Sequence, residues 1–286
     1  MTERSRYILV AAVALLASAC RRDSSYQGRS ADDWVRMLSS RDVRDRAEAA
    51  AALANIGPRE FDHVRPFLLA ASDPATMVRD TALAGIRRLP ETSGGALMKA
   101  LSVSSVAVRR AAALGLGHFR NADRGQIRAL EAATRDVDDS VRTLAVLSLG
   151  ERSMGAWDAL PRIRELASQP GPQRAAALLV LPNVDTESHS LARFYYPALR
   201  DTSADVRAAA ATMLLAAGAG HEAIGLLVSV LEDPVAVVRT AAARSLGLEA
   251  PHDSVAYRAV TSLRGSRDSV LRRLADSILT TIPRVP

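Results

Sequence analysis

The chain has few of the residues from which large aromatic cores and thiolate metal sites are built. Aromatic residues make up only 4% of it, while apolar residues as a whole make up 48%. Alanine and leucine fill the apolar positions, a composition that suits closely packed helices better than a β-sandwich. Cys20 is the only cysteine, so no second thiolate exists to complete a metal site. We therefore expect an all-α protein.

Lysine is almost absent as well, since Lys99 is the only one and the remaining basic residues are arginines. The formal net charge is +6, with 37 basic and 31 acidic residues. Acidic and basic residues alternate along the chain and form no dense basic block. The sequence therefore predicts no nucleic-acid partner, in spite of its basic isoelectric point.

Signals of catalysis are missing too. The chain contains no glycine-rich phosphate loop ending in Gly-Lys, no Gly-x-Ser-x-Gly elbow and no His-Glu-x-x-His helix. None of the histidines stands at metal-ligand spacing: His63, His118, His189, His221 and His252. We expect a protein that is not an enzyme and has no catalytic residues, no metal and no cofactor.

The first twenty residues have the pattern of a secretory signal. Two arginines, Arg4 and Arg6, precede an apolar run over residues 7–16 that is too short to span a bilayer. The small residues before Cys20 resemble the lipobox of bacterial lipoproteins, in which the cysteine becomes the lipidated first residue of the mature chain. The prediction is a cleaved signal peptide over 1–19, a lipidated tether over 20–29 and a location in the bacterial cell envelope. Plain secretion after Ala19 is the alternative.

One sequence frame recurs along the rest of the chain: arginine, two residues, two small apolar residues, one residue, then small-Leu-Gly. With the arginine at position zero, it occurs at Arg46, Arg79, Arg109, Arg142, Arg174, Arg207, Arg239 and, with leucine substituted, Leu271. The spacings are 33, 30, 33, 32, 33, 32 and 32 residues. A fixed period of this size is typical of stacked helical repeats. The sequence predicts an α-solenoid of about eight helix pairs over residues 30–286.

Each pair is predicted to contain a first helix, a short turn and a second helix that carries position zero. Aspartate at position −6 is interpreted as the N-cap of the second helix, with Pro74 and Pro234 at the first helical position. Positions −1, +3, +6 and +7 of the second helix share one face and predict the core. Glycine at +8 predicts a helix end or a close helix contact. The residues at +7 are Leu53, Ile86, Leu116, Leu149, Leu181, Leu214, Leu246 and Ile278; those at +8 are Gly117, Gly150 and Gly247.

The frame Asp-Pro…Val-Arg…Ala-Ala…Leu-Gly over residues 233–247 resembles a HEAT repeat, of the short kind also found in phycobilisome-lyase-type proteins. In that family an aspartate and an arginine six residues apart form a hydrogen-bond ladder between successive units. The resemblance carries this structural role to four pairs: Asp73 and Arg79, Asp136 and Arg142, Asp201 and Arg207, Asp233 and Arg239. It does not extend to Arg46, Arg109 and Arg174, which lack an aspartate at that offset.

Two apolar features are candidates for binding. Position +5 of the middle second helices holds Leu114, Leu147 and Leu179, which either line a groove or are buried by curvature between helices. Residues 194–196, Phe-Tyr-Tyr, either fill space between repeats or form an interface. The candidate binding residues are Leu114, Leu147 and Leu179 with a polar rim of Arg110, His118 and Thr143.

These patterns predict a lipid-anchored, monomeric scaffold or adaptor that binds an unidentified protein or peptide on the concave surface formed by the second helices. The alternative is an enzyme or an enzyme accessory factor of the HEAT-like lyase or hydroxylase kind. Iron hydroxylases built from similar repeats use several His-Glu pairs, whereas this chain has one, His221–Glu222.

Overall fold

A computed structural model describes residues 25–58, 60–119, 121, 123–151, 156–186, 191–219 and 222–282. These ranges contain sixteen α-helices, three short 3-10 helices and one two-stranded hairpin. No helix within them has the length and apolar content needed to cross a membrane. The predicted all-α fold is confirmed.

The helices alternate between first and second members of eight pairs. The first helices are α1 (Ala31–Met37), α3 (Phe61–Ala70), α5 (Gly94–Ala100), α7 (Arg124–Ala133), α9 (Leu160–Ser168), α11 (Ala192–Ala198), α13 (Glu222–Val230) and α15 (Ser254–Ser262). The second helices are α2 (Val43–Ile56), α4 (Thr76–Ile86), α6 (Val106–Gly117), α8 (Asp139–Gly150), α10 (Arg174–Val184), α12 (Ala204–Met213), α14 (Ala236–Glu249) and α16 (Ser269–Thr281). The 3-10 helices are Glu91–Ser93, Ala156–Ala159 and Leu263–Gly265.

The described part of the predicted tether is folded. Strands β1 (Ser25–Tyr26) and β2 (Arg29–Ser30) pair antiparallel. Gln27 and Gly28 connect them with φ angles of 52° and 75°, the left-handed values that a two-residue hairpin turn requires. The Trp34 indole N–H donates to the Tyr26 carbonyl at 3.2 Å. Residues 25–29 of the predicted tether therefore form an exposed hairpin beside the buried Trp34, and the tether itself stays a prediction.

The chain divides into two compact units, Met1–Gly115 and Leu116–Pro286. In the first unit α2 packs beside α4, and α3 packs beside both α1 and α5. In the second unit the second helices α8, α10, α12, α14 and α16 pack in that order, each against the next. Within each unit, neighbouring pairs thus share a continuous core, as expected of stacked repeats.

The core stripe of the second helices follows the predicted helical phase. At position +7 the side chains from Leu53 to Leu246 are fully buried, whereas Ile278 in the last helix is half-buried. The glycines at +8 mark close helix contacts. A Cβ atom on Gly150 would lie 2.2 Å from Val180 Cβ, and one on Gly117 would lie 2.8 Å from Ser148 Cβ. Bare backbone at these positions lets adjacent second helices approach.

The N-cap assignment is wrong by two residues. Val235, rather than Asp233, is the N-cap of α14, and the Val235 N–H donates to Asp233 Oδ1 at 2.9 Å. Ala75 and Asp73 have the same relation at 2.8 Å. The aspartate thus organises the turn through its own i+2 amide and leaves its second oxygen available for another donor. The prolines predicted at the first helical position lie in these turns: Pro74 and Pro234.

The frame of the last repeat is shifted by one residue from its predicted position. Arg272, rather than Leu271, makes the hydrogen bonds of a position-zero arginine, with Nη1 donating to the carbonyls of Ser266 at 2.6 Å and Arg267 at 3.1 Å. Leu271 is only 2% exposed and takes the place that Val238 has at position −1 of the preceding repeat. The last step of the repeat is therefore 33 residues.

Candidate functional site

The aspartates and arginines of the turns form an ordered ladder, which Arg207 illustrates. Its Nε and Nη2 donate to the two carboxylate oxygens of Asp233 in the next repeat, at 2.7 and 3.0 Å. Its Nη1 donates to the carbonyl of Asp201, the residue six positions earlier, at 2.9 Å. The side chains of Arg207 and Asp233 are 13% and 10% exposed. One guanidinium thus closes its own turn and joins it to the following repeat.

Three other arginines bind a carboxylate of the next repeat in the same way. Arg46 makes a two-point contact with Asp73, with Nε–Oδ2 and Nη2–Oδ1 distances of 2.7 and 2.9 Å. Arg174 Nη1 lies 2.5 Å from Asp201 Oδ2. Arg239 Nη2 lies 2.6 Å from Oδ2 of Asp268, the N-cap of α16. Two-point pairs such as those of Arg46 and Arg207 are the strong form of the arginine–carboxylate interaction, whereas Arg174 and Arg239 each make a single contact.

The structure changes which residues take part in the ladder. Arg46 and Arg174 lack an aspartate six positions earlier, which argued against a ladder role, yet each pairs with the aspartate of the next turn. The carboxylate partner of these two arginines, and of Arg207 and Arg239, lies about one repeat further along the chain. The arginine's own turn contributes a backbone carbonyl, from the residue six positions earlier or, for Arg174, from Ala167 seven positions earlier. The aspartate that matters is therefore the one in the following repeat.

Two predicted ladder arginines act within their own repeat. Arg79 donates to the Asp73 carbonyl at 2.8 Å and to the Thr76 hydroxyl at 2.9 Å. Arg142 donates to the Asp136 carbonyl at 2.6 Å and forms an ion pair with Asp139 of its own helix. The following turns offer no carboxylate at the required offset. They carry Val103 and Ser168 there.

Hydrogen bonds from the arginines hold the pKa values of the ladder carboxylates below their usual range. This applies to Asp73 beside Arg46 and to Asp233 beside Arg207. The Asp73 pair also raises the pKa of the Arg46 guanidinium. Asp73 and Asp233 therefore remain charged over the physiological pH range and hold their repeats together.

The candidate binding leucines at position +5 are partly exposed. Leu179 is 36% exposed, although its neighbours Leu178 and Leu181 are fully buried. Leu147 in the second unit and Leu114 in the first are half-buried. None of the three is as buried as the residues at +7, so Leu147 and Leu179 contribute apolar area to the second-helix surface. We define that surface as the solvent-facing side of the second helices of the second unit, α8, α10, α12, α14 and α16, centred on position +5 and including Leu147 and Leu179; Leu114 contributes apolar area only to its own helix in the first unit.

The residues of the predicted polar rim lie within about one helical turn of these leucines in the sequence, and all of them are at least partly exposed. Thr143 is half-buried one turn before Leu147, and Arg110 is exposed one turn before Leu114. His118 is half-buried, and its Nδ1 lies 3.5 Å from Glu151 Oε2. Cys20, the predicted lipidation site, lies outside the described residues.

The aromatic residues 194–196 divide between packing and surface. Tyr195 is fully buried, and its hydroxyl donates to the Leu178 carbonyl at 2.6 Å. Burial raises the pKa of the Tyr195 phenol. The half-buried Tyr196 donates to the Ala219 carbonyl at 3.1 Å. Phe194 is 7% exposed and carries the Arg193 guanidinium 4.9 Å above its ring.

Helix pairs at a fixed period, a buried leucine stripe and a ladder between repeats define a helical-repeat protein of the α-solenoid class. Residues 94–182 match the family model of HEAT repeats. The predicted fold class, HEAT-like helix pairs in a solenoid, is thereby confirmed. No curated protein matches the sequence.

Comparison with known structures gives the same fold at low sequence identity. The X-ray structure of E. coli YibA is 18% identical with a TM-score of 0.51, and the match covers 87% of this chain and 92% of that one. A homology model of the full-length AP-3 complex, in an intermediate open conformation, is 14% identical with a TM-score of 0.55 over 87% of this chain. The match spans 50% of that chain. The CpcE–CpcF complex of phycocyanin lyase from Nostoc sp. PCC7120 is 19% identical over 91% of this chain and 97% of that one, with a TM-score of 0.43. The likenesses to YibA and to the AP-3 model show the fold alone.

Metal-ligand geometry does not occur in the part of the chain that the structure describes, since no group of three or more His, Cys, Asp or Glu side chains gathers there. Sequence reasoning did not show that three charged side chains are buried among the described residues: Arg109, Arg174 and Asp185, which are 7%, 9% and 2% exposed. The Asp185 carboxylate accepts from Arg164 Nε and Nη2 at 2.8 and 2.5 Å. Arg164 and Asp185 are 21 residues apart and lie outside the repeat frame, so no periodic signal in the sequence marks this pair.

Proposed function

We propose that this protein is a lipid-anchored adaptor of the bacterial cell envelope that binds another protein or a peptide through its second-helix surface. It acts as a monomer, without catalysis or a cofactor. Recognition rests on the shape of a preformed surface and on many weak contacts, because the repeat scaffold holds its side chains in place before the partner arrives.

The observation that carries this proposal is the partial exposure of leucine at position +5 in the middle repeats. The later repeats carry polar residues at the same position, such as Thr212 and Arg244, and both are exposed, whereas the first two repeats carry alanine. Leu147 and Leu179 stand on the neighbouring helices α8 and α10, which pack together. Leu179 is 36% exposed and Leu147 is half-buried, so completing the burial of each in a complex contributes about 0.5–1 kcal/mol, roughly a third of the value for a fully exposed leucine. The two leucines supply a modest share of a binding energy without any charge pairing.

The proposed location rests on the N-terminal residues that precede the hairpin. An acyl chain on Cys20 would leave residues 21–24 between the lipid and the hairpin that begins at Ser25. Four extended residues span at most about 14 Å. The first repeat would therefore stand close to the bilayer surface. Several acyl chains provide a stable anchor, at about 0.8 kcal/mol for each buried methylene.

Site-specific photocrosslinking tests the binding surface. A photoreactive amino acid is placed at Leu147 or Leu179 in the full-length protein in its native cells, and at Tyr257 as the matched control. Tyr257 is 44% exposed and lies on α15, a first helix, away from the second-helix surface. The expected result is a discrete crosslinked product from the two +5 positions and none from Tyr257. Equal products from all three positions, or a product from Tyr257 alone, would contradict the proposal.

The anchor and the absence of catalysis are tested separately. Cys20→Ser should move the protein from the membrane fraction to the soluble fraction, and the mature wild type should carry the mass of a lipid. Membrane retention of the variant, together with an unmodified wild-type mass, would refute the anchor. Iron in stoichiometric amount in the purified protein would instead favour the hydroxylase alternative.

A further inference from the structure

A groove opens between α9 and α11, two consecutive first helices of the second unit. Its volume is about 540 Å³, and it is open to solvent. Consecutive first helices α13 and α15 pack closely, whereas among the described helices α9 and α11 do not. The residues that matter for its chemistry are Pro161, Arg164, Arg174, Arg193, Phe194 and Pro197.

Arg193 at the rim is a cation without an anionic partner among the described residues. Its side chain lies over the Phe194 ring, with 4.9 Å between the guanidinium carbon and the ring centroid, and it forms no ion pair there. The residue is exposed, and Phe194 beneath it is 7% exposed. A guanidinium on an aromatic face keeps its N–H groups directed outward for an anion.

Arg174 supplies a second set of donors from the wall of the groove. Its Nε donates to the Ala167 carbonyl at 3.1 Å, and its Nη1 donates to Asp201 at 2.5 Å. Its Nη2 has no partner among the described residues and is not one of their fully buried unpaired atoms. A residue that is 91% buried and lines the groove therefore retains an unpaired guanidinium nitrogen that is not fully buried.

Glu165, the acidic residue in the lining of the groove, does not cancel the positive charge of Arg193. Glu165 Oε2 accepts from Arg162 at 2.8 Å, and this hydrogen bond lowers the pKa of Glu165. Arg164 is neutralised in turn by the buried Asp185. The remaining charge in the groove is that of Arg193, with the free N–H groups of Arg174 beside it. The groove thus offers donors to a carboxylate and retains no unpaired carboxylate of its own among its described residues.

The rest of the lining is apolar and rigid. Pro161 and Pro197 contribute rings without a backbone donor, and Phe194 contributes an aromatic wall. We propose that the groove binds an extended acidic segment of a partner protein, with a carboxylate on Arg193 and Arg174 and an apolar side chain against Phe194 and the prolines. This site is independent of the second-helix surface and of the lipid anchor.

The experiment uses fluorescence anisotropy with the full chain and two labelled, end-blocked hexapeptides. One alternates Glu and Leu, and the other alternates Gln and Leu, so that they differ only in charge. The variant is Arg193→Gln, and the matched control is Arg258→Gln. Arg258 is an exposed arginine of α15 that makes no ion pair in the described ranges and does not line the groove. Thermal melts of both variants accompany the binding curves.

The acidic peptide should bind at least about ten-fold more tightly than the neutral one, since charge-assisted hydrogen bonds are roughly twice as strong as neutral ones. Arg193→Gln should remove most of that difference, and Arg258→Gln should change the affinity by less than about two-fold. Added salt should weaken the binding of the acidic peptide and leave the binding of the neutral peptide unchanged. Equal affinity for the two peptides, or equal effects of the two variants, would overturn the proposal. Succinate that binds as tightly as the acidic peptide would overturn the assignment to a protein segment.

Discussion

Gly150→Ala tests the close packing of the second helices most directly. Gly150 is the last residue of α8, and its bare backbone lies against Val180 of α10. A Cβ atom at this position would be 2.2 Å from both Cβ and Cγ1 of Val180 and 3.2 Å from its Cα. Favourable carbon–carbon contacts are about 3.5–4.0 Å. The two helices would therefore have to separate by more than about 1 Å.

The expected free-energy change follows from two opposing effects. Overpacking of a close contact costs about 1–3 kcal/mol. Alanine is a better helix former than glycine by about 1 kcal/mol in a helix interior, and the gain is smaller at a helix end. We expect Gly150→Ala to lower the free energy of unfolding by about 1–2 kcal/mol. Val180→Ala should not rescue it, because the Val180 Cβ atom that lies 2.2 Å away remains.

Urea unfolding followed by far-ultraviolet circular dichroism measures this effect. Gly225→Ala is the matched control, because Gly225 lies inside α13 of the same unit and an added Cβ there meets no atom within 4 Å. The control should raise the free energy of unfolding by up to about 1 kcal/mol. The reasoning is refuted if Gly150→Ala unfolds at the same urea concentration as the wild type or at a higher one.

Three further predictions concern the core, the ladder and the last repeat. Leu149→Ala should cost about 2–5 kcal/mol, because the side chain is fully buried; an unchanged urea midpoint would show that the helical phase is wrong. Since hydrogen bonds from Arg207 lower the pKa of Asp233, the pair stabilises the fold fully above about pH 4 and progressively less as the pH falls below that. Asp233→Asn should therefore lower stability at pH 7 and flatten its pH dependence between about pH 2 and 4, and equal acid slopes would exclude the pair as a source of stability. In a thermal melt, Leu271→Ala should destabilise the last repeat more than Arg272→Ala does. The reverse order would favour the frame that the sequence predicted, with Leu271 at position zero.

Much of the fold was accessible from the sequence because its signals are local and repeated. The period and the number of helix pairs follow from a frame that recurs at spacings of 30 to 33 residues, and the buried +7 stripe follows from the helical phase within each frame. The frame failed in the last repeat, where Leu271 and Arg272 are adjacent and both Ile278 and Leu279 are apolar. Either frame satisfies the hydrophobic pattern there, and only the hydrogen bonds of Arg272 distinguish the two.

The candidate site depended more on contacts between repeats. The aspartates and arginines of the ladder stood out in the sequence, but the partner of Arg46 was sought within its own turn instead of in the next one. Nothing in the local pattern states which of two carboxylates a long side chain reaches. The exposed fraction of Leu179 could not be predicted from the sequence for the same reason. Helical phase places position +5 away from the core, but it does not determine how much a neighbouring helix covers that position.

By itself the sequence determined the repeat architecture, because the same apolar positions recur in every repeat and bury the same face of each second helix. Tertiary structure alone decided which charges pair across repeats, how far each +5 leucine is covered and where α9 and α11 leave a groove. Those outcomes depend on the spacing between helices that are about thirty residues apart in the chain. That spacing is set by side-chain volumes on both helices together, as at Gly150 and Val180, and such pairwise fits leave no periodic trace in either helix alone.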